Sequence, residues 1–334
     1  MLETRHRVSN MKTRFPQMRG RNKNSHEGRL YTFVARLKAL LGVRGNRLFS
    51  GRRFPDQDPS YNSSVARTIF GKVIIITGAS SGIGRAAAVA LGREGAKLVV
   101  VARREDRLKQ LQQEINGDTL VLPLDLRDQQ QVSQMIEQTM NRYGRIDVLI
   151  NNAGFGFQGS VEKTSPEVVR EIFGLNFEAA LFASQLAIPI MRKQRSGHII
   201  NVSSVVGKRG IPLMGIYCAT KFALNGISEA LRIELKDSNI DVSIVSPATT
   251  ESEFSDSVRR GDVKTNVKSV GHVQTSEEVA AAIVRCIKHP KIEVFPNRTS
   301  RFLAWANALA PSLVDKVMIR FFRSRIEALS AEKQ

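Results

Sequence analysis

Between residues 72 and 295 the chain repeats one pattern seven times: a short, mostly apolar run, then a longer segment with helical character. The runs are "KVIIIT" (72–77), "KLVVVA" (97–102), "TLVLPL" (119–124), "DVLINN" (147–152), "HIINVS" (198–203), "DVSIVS" (241–246) and "IEVF" (292–295). Apolar residues follow one another in these runs instead of alternating, as strands do when both of their faces are covered. The segments between them are long enough for crossover helices. This predicts an α/β fold, a Rossmann-type doubly wound parallel sheet of about seven strands. Helix starts agree with the phasing. "TSPEVV" (164–169) offers Ser165 as N-cap, Pro166 in the first turn and Glu167 behind it, and "TSEEVA" (275–280) repeats the logic.

The flanks differ from this body. Of the net charge of +19, residues 1–70 contribute +11, from fifteen Lys or Arg against four Asp or Glu. The expected organisation is a basic, partly disordered extension over 1–70, a single Rossmann-type domain over 71–296 and an amphipathic helical tail over 297–334. Within the extension, "GRRFPDQDPSYNSS" (51–64) has linker composition, and 30–43 sets Leu30, Phe33, Val34, Leu37 and Leu41 on one helical face. That face suits a membrane surface, a partner or plain packing equally well. In the tail, Leu313, Val314, Val317, Met318, Phe321 and Phe322 form one stripe and Lys316, Arg320 and Arg323 another. An anionic membrane surface would fit the tail, but a helix packed on the body or on a sister subunit carries the same stripe.

Composition narrows the function classes. Cys218 and Cys286 make no disulfide framework and have no metal-ligand spacing, so no metal is expected and a reducing, cytoplasmic setting fits. No run of eighteen apolar residues occurs, and the 303–322 stretch is interrupted by Asp315 and Lys316. The first thirty residues lack the apolar centre of a secretory signal, and their Arg content leaves an organelle transit peptide open. The basic N-terminus carries no recognition motif, so no nucleic acid is expected.

Directly after the first run comes "TGASSGIGRAAAVAL", a glycine-rich turn opening an Ala-rich helix. Gly78 permits a tight exit from the strand, Gly82 a close approach to a pyrophosphate, and Gly84 close packing of the helix. The helix N-terminus offers that anion free N–H groups and a positive dipole end. About twenty residues on, Ala102 stands where an acidic residue would bond a ribose 2′-hydroxyl, and Arg103 follows with a planar cationic fork. The pair favours NADP(H), with NAD(H) as the second choice. Further along, "YCATK" (217–221) sets Tyr217 and Lys221 one helical turn apart.

The TGxxxGxG turn, "NNAG" (151–154), Asn176 in "GLNFEAA", "NVSS" (201–204) and "YCATK" stand in order over some 220 residues. By these motifs the chain resembles the short-chain dehydrogenase/reductase family from about residue 71 to 296. The resemblance implies a catalytic set of Asn176, Ser204, Tyr217 and Lys221 acting on a small-molecule carbonyl or alcohol. Hydride transfer to a carbonyl builds negative charge on its oxygen, and Tyr217 would supply the proton. Lys221 would lower the phenol's pKa and hold the nicotinamide ribose. Ser204 would bond the substrate oxygen, and Asn176 would position a water in a relay to Lys221.

For the dinucleotide, the resemblance implies contacts from Gly78, Ser80, Ser81, Gly82, Ile83 and Gly84 in the turn, and from Arg103 after the second strand. It adds Asp125 and Leu126 near the adenine, Asn152, Ala153 and Gly154 at the same nucleoside, and Pro247 beyond the sixth strand. Relatives commonly carry Pro-Gly there, whereas this chain has Pro247-Ala248, which predicts a restricted loop. Residues 249–274 are the expected substrate lid. Phe155, Phe157, Ile211, Pro212, Leu213 and Met214 flank the expected pocket and lean toward an apolar or lipid-like substrate. A homo-oligomer is expected. The rival reading is a dinucleotide-sensing binding protein without turnover, which would need the glycine turn but has no chemical use for the Tyr–Lys pair.

Overall fold

The computed structural model describes residues 66–251, 258–262, 273–297 and 299–331, without the side chains of 303 and 324–331. The expected helix at 30–43, the linker at 51–64 and most of the expected lid lie outside the described residues.

All seven apolar runs are strands of one sheet: β1 (Val73–Thr77), β2 (Lys97–Ala102), β3 (Thr119–Pro123), β4 (Val148–Asn151), β6 (Gly197–Val202), β7 (Ile240–Val245) and β11 (Glu293–Val294). They are ordered β11-β7-β6-β4-β1-β2-β3, and every pairing is parallel; outside this sheet β5 (Phe157–Gln158) pairs with β9 (Arg259–Arg260) and β8 (Thr250–Glu251) with β10 (Gln274–Thr275). The continuous apolar character has the expected cause. Ile74 and Ile76 of β1, with Leu98 and Val100 of β2, meet one core. Ile75, Val99 and Val101, their immediate neighbours, meet the other. Each fully buried side chain of this size contributes about 1.5–3 kcal/mol through the water it leaves.

The first core is covered by α1 (Gly82–Arg93), α2 (Glu105–Ile115) and α7 (Ser276–Lys288), through Ala88, Leu91, Leu108, Leu111, Ile283 and Ile287. The second is covered by α3 (Gln129–Tyr143) and α5 (Ala179–Gln194), through Val132, Met135, Ala183, Ala187 and Met191. Ile69 is already in the core, and Arg67 pairs with Asp241. The body therefore takes in residues that precede the first strand.

Helix α4 (Pro166–Phe173) starts as expected, with the Ser165 side chain accepting from Val168 N. For α7 the N-cap is Thr275, one residue before the serine in the parallel pattern. Its Oγ1 accepts from Glu278 N at 3.1 Å while Glu278 Oε2 accepts from Thr275 N at 3.0 Å. The reciprocal box satisfies two otherwise orphaned donors, which a serine at 276 could not do with the same glutamate. Between α4 and α5 the helix widens into one π turn, Gly174–Glu178, where Ala179 N donates to Gly174 O. Among the described residues Pro166–Gln194 is the one helix long and apolar enough to cross a bilayer, yet Ile172, Ala183, Ala187 and Met191 on it are buried in the protein.

In the tail, α8 (Ser300–Leu309) and α9 (Pro311–Ala331) follow one another. Val314 and Phe322 are 4 % and 5 % exposed. The stripe thus turns two of its members into protein, as the packing alternative expects, and Leu313, Val317 and Met318 are half-buried beside them.

The chain order reverses at β1, which has β2 on one side and β4 on the other. Ligands of open parallel sheets bind in the crevice beyond the strand ends at such a point. The glycine turn follows β1 there, and "NNAG" closes β4 there.

Candidate active site

The turn after β1 is clamped to the segment after β4 by a threonine. Thr77 Oγ1 donates to Ile150 O at 3.3 Å and accepts from Asn152 N and Ala153 N at 2.9 and 3.0 Å. The Asn152 amide completes the clamp by donating to Thr77 O at 2.9 Å and to Gly78 O at 3.3 Å. Gly78 has φ +69° and lies so close that a Cβ would meet Ala153 Cα at 2.8 Å. On Gly84 a Cβ would meet the Gly78 carbonyl at 2.4 Å, so the third glycine seats the helix on the turn itself. Ser81, the N-cap of α1, makes no side-chain cap. The first N–H groups of α1 are left facing the crevice for an anion.

Ser80 and Ser81 have another partner. Arg104 Nη2 donates to Ser80 Oγ at 3.0 Å and to Ser81 Oγ at 2.9 Å. Arg103, expected to provide the cationic fork, is exposed, and its charge adds to the lowering of the Asp125 pKa. Two arginines thus border the expected ribose position, and the second touches the turn. Glu105 and Asp106 occupy the first turn of α2 and suit its dipole, so the arginines before it stand beside carboxylates as well as beside the crevice. Asp125 accepts from Arg127 N at 3.1 Å and from Arg127 Nε at 3.0 Å, and the Arg127 hydrogen bonds hold its carboxyl below the usual range. Its visible role is to cap its own loop. Leu126 is buried in the second core, and Ile83 packs against the first.

Helix α6 (Gly215–Glu234) carries Tyr217 and Lys221, both buried. The Lys221 ammonium lies 5.9 Å from the centre of the Tyr217 ring and donates to Val202 O at 3.0 Å. Ser204 is hydrogen-bonded to the Tyr217 phenol. Its Oγ also donates to Pro247 O at 3.4 Å and accepts from Val206 N at 3.3 Å. Tyr217 packs with Phe157 and Ile172, and Phe155 and Met214 border that cluster. Leu213 is buried with φ +66°, a conformation unusual for leucine, and its carbonyl accepts from Gly159 N at 2.8 Å. Cys218 is a packing residue whose sulfur accepts from Ile211 N at 3.4 Å.

Two expectations change. Lys221 does not lower the Tyr217 pKa in this state; burial pushes the phenol above its ordinary value, and the Ser204 bond opposes that only in part. Burial also draws Lys221 down to about 8. Both groups lose hydration, which disfavours the charged form of each. Asn176 is buried with its amide fully engaged: Oδ1 accepts from Phe155 N at 2.9 Å, and Nδ2 donates to Phe155 O at 3.0 Å and to Thr220 Oγ1 at 3.2 Å. Its side chain ties the loop after β4 to Thr220 of α6. Ala248 lies outside the positive-φ residues, so the missing glycine imposes no backbone strain, and its N–H donates to Gln274 Oε1 at 2.9 Å.

Sequence reasoning passed over Thr77, Arg104 and Thr220. The first could have been found as the residue opening the turn motif. The others depend on contacts between elements. Part of the expected lid is held down: Arg259–Arg260 (β9) pairs with Phe157–Gln158 (β5), and the Asp262 carboxylate accepts from Ser160 N at 2.8 Å and Ser160 Oγ at 2.6 Å. Arg259 lies 4.9 Å from the Phe155 ring centre and pairs with Glu171, which also pairs with Arg127.

Known proteins resemble this chain in sequence and in fold. The profile described as short chain dehydrogenase matches residues 72–262. An uncharacterized oxidoreductase of Staphylococcus saprophyticus is 39% identical over 224 residues, 66% of this chain and 91% of that one. The ketoacyl reductase HetN of Nostoc is 31% identical over 259 residues, 75% of this chain and 89% of its own length. A short chain dehydrogenase/reductase from Burkholderia phymatum, solved in complex with NAD, superimposes with a TM-score of 0.68 at 25% identity, over 74% of this chain and 96% of that one. With the profile spanning more than half of the sequence and the sheet order in agreement, the chain belongs to the short-chain dehydrogenase/reductase family of oxidoreductases.

Proposed function

We propose that the protein is an NADP(H)-dependent oxidoreductase interconverting a ketone or aldehyde with an alcohol, on an apolar or lipid-like substrate, with Tyr217 as the acid/base. The observation that carries the reading is the burial of Tyr217 between Ser204 and the Lys221 ammonium, within an apolar cluster beside the glycine turn.

The crevice fits a dinucleotide: α1 begins without a side-chain cap, the glycines leave no room for a Cβ, and cationic side chains stand at the ribose end. Gly78 to Gly84, Asn152 to Gly154 and Pro247 would hold it, with Arg103 and Arg104 at the 2′-phosphate. The bound nicotinamide supplies or accepts the hydride. Lys221 would meet the adjoining ribose.

In the reducing direction a phenol with a raised pKa is fully protonated at neutral pH, which is the form an acid needs. As negative charge grows on the carbonyl oxygen, Tyr217 Oη passes its proton to that oxygen and Ser204 Oγ donates a hydrogen bond to it. The resulting phenolate is stabilised by Lys221, which at a pKa of about 8 is mostly protonated at pH 7. The Nostoc relative's description as a ketoacyl reductase supports a carbonyl substrate, and Phe155, Phe157 and Met214 around Tyr217 support an apolar one. The decisive experiment is a panel of carbonyl compounds assayed by NADPH consumption and repeated with NADH and with Tyr217→Phe. Turnover untouched by the substitution rejects the mechanism, and a preference for NADH rejects the cofactor assignment.

A further inference from the structure

Of the stripe that the sequence pattern singles out in the tail only Phe321 is exposed, and the larger exposed apolar face lies on the helix before it. On α8, Phe302, Trp305 and Leu309 are 54 %, 42 % and 70 % exposed. At 3.6 residues per turn these three fall within about 60° of one another on the helix. Asn307 is on the far side, where its Nδ2 donates to Lys208 O at 3.0 Å and its Oδ1 accepts from Arg209 Nη1 at 2.8 Å. Arg209 also pairs with Asp315 of α9. One face of α8 is thus fastened to the body and the other carries two aromatic rings and a leucine into solvent. Phe302 and Trp305 stack edge to face at 6.2 Å, and the Arg301 guanidinium lies 5.7 Å from the Trp305 ring centre. Exposed Ile319 and Phe321 on α9 are interspersed with exposed Lys316, Arg320 and Arg323.

We propose that the outer face of α8 docks in the plane of an anionic phospholipid bilayer, with Trp305 at headgroup depth and the cations of α9 against lipid phosphates. Three arguments favour a bilayer over other occupants. Ten residues of helix are about 15 Å long, too short to span a bilayer but sufficient to lie in its surface. Aromatic and aliphatic side chains beside Arg and Lys are the composition that partitions into that zone. A second copy meeting this face about a two-fold axis would bring like cations together, whereas lipid phosphates neutralise them. The fastened side leads to Lys208 and Arg209, in the segment between Ser204 and Tyr217, so docking would set the pocket's own loop near the lipid. That link to substrate supply rests on the function proposed above; the docking does not.

Trp305 is the only tryptophan in the chain, so its emission reports on this face alone. The test uses the full-length protein with phosphatidylcholine vesicles containing phosphatidylglycerol, and with phosphatidylcholine alone. The expected result is a blue shift and protection from acrylamide quenching with the anionic vesicles only, reversed by high salt. Leu309→Ser should weaken partitioning roughly tenfold, the loss expected for one large apolar side chain. The doubly substituted Lys316→Glu/Arg320→Glu protein should weaken it as well without touching the apolar stripe. Unchanged thermal unfolding shows that each variant folds, and turnover of a water-soluble carbonyl compound is a separate reading that fails only if the enzymatic proposal fails. Vesicle binding without a change at Trp305 would place the contact elsewhere, for instance in the basic residues 1–70, and overturn the proposal. So would a blue shift that needs no vesicles and grows with protein concentration, the signature of a second copy.

Discussion

Lys221 donates to the carbonyl of Val202, the residue that ends β6 two positions before Ser204. Helix α6 and strand β6 therefore fix each other's functional groups through one ammonium. Replacing it with Lys221→Met should lower kcat about 10²- to 10⁴-fold, the range for loss of a positioned acid–base partner. Lys221→Arg should not rescue it, since a planar guanidinium cannot replace a compact ammonium in a buried site.

The same lysine predicts a pH profile. With its pKa drawn down to about 8 by burial, the charged form is lost as pH rises through that value. kcat/KM for the reduced dinucleotide, which reports groups of the free enzyme, should fall above pH 8. A profile flat to the ordinary lysine range would refute this assignment.

Arg104→Ala and Arg103→Ala test the ribose end. Loss of a charge-assisted contact to a phosphate costs about 1.5–3 kcal/mol, so KM for NADPH should rise roughly ten- to hundredfold. KM for NADH should change at most a few-fold, because NADH lacks the 2′-phosphate. Equal effects on both cofactors would mean that these side chains only hold Ser80 and Ser81.

His198 is buried between β6 and β7 with Nε2 2.8 Å from Ser243 Oγ, and burial lowers its pKa to about 4. For a base with a depressed folded pKa, the unfolded chain binds more protons between pH 4 and 6.5, so stability falls as pH falls through that window. His198→Gln removes the titration and can keep a donor near Ser243. Wild type should lose about 3 kcal/mol more than the variant between pH 7 and pH 4. Urea midpoints that move in parallel with pH would disprove the contribution.

Asp262 holds Ser160 by two bonds and with it the strand β9 against β5. Asp262→Ala should raise KM for the carbonyl substrate several-fold and leave KM for NADPH in place. Amide exchange at 157–160 should quicken by the loss of about 1–2 kcal/mol of local protection.

What could be read from the sequence follows from where the information sits. The seven strands were legible because burial on two faces writes itself into consecutive residues, as in Ile74, Ile75 and Ile76. The site motifs were legible because Tyr217 and Lys221 share one helix, where spacing fixes geometry. Arg104 was missed because Arg103 and Arg104 look alike in sequence, and only the backbone at the start of α2 decides which one returns to the turn. The raised Tyr217 pKa was missed because spacing shows a cation but not the desolvation that opposes it. In the tail, the α9 stripe was visible but not which side faced protein, so Val314 and Phe322 proved inward and Phe321 outward, while three further outward residues lay on α8.

The π turn at Gly174–Glu178 carries one consequence of its own. A single extra residue there offsets everything upstream by about 100° relative to a continuous α-helix. That offset lets Ile172 reach the Tyr217 cluster and Glu171 reach Arg127 and Arg259, while Ala183 and Ala187 keep their place on the sheet. Deleting one residue from the turn would heal the helix and misalign its two halves. The segment works as a phase-setting joint: a protein so shortened would keep its central sheet while losing the floor of its pocket.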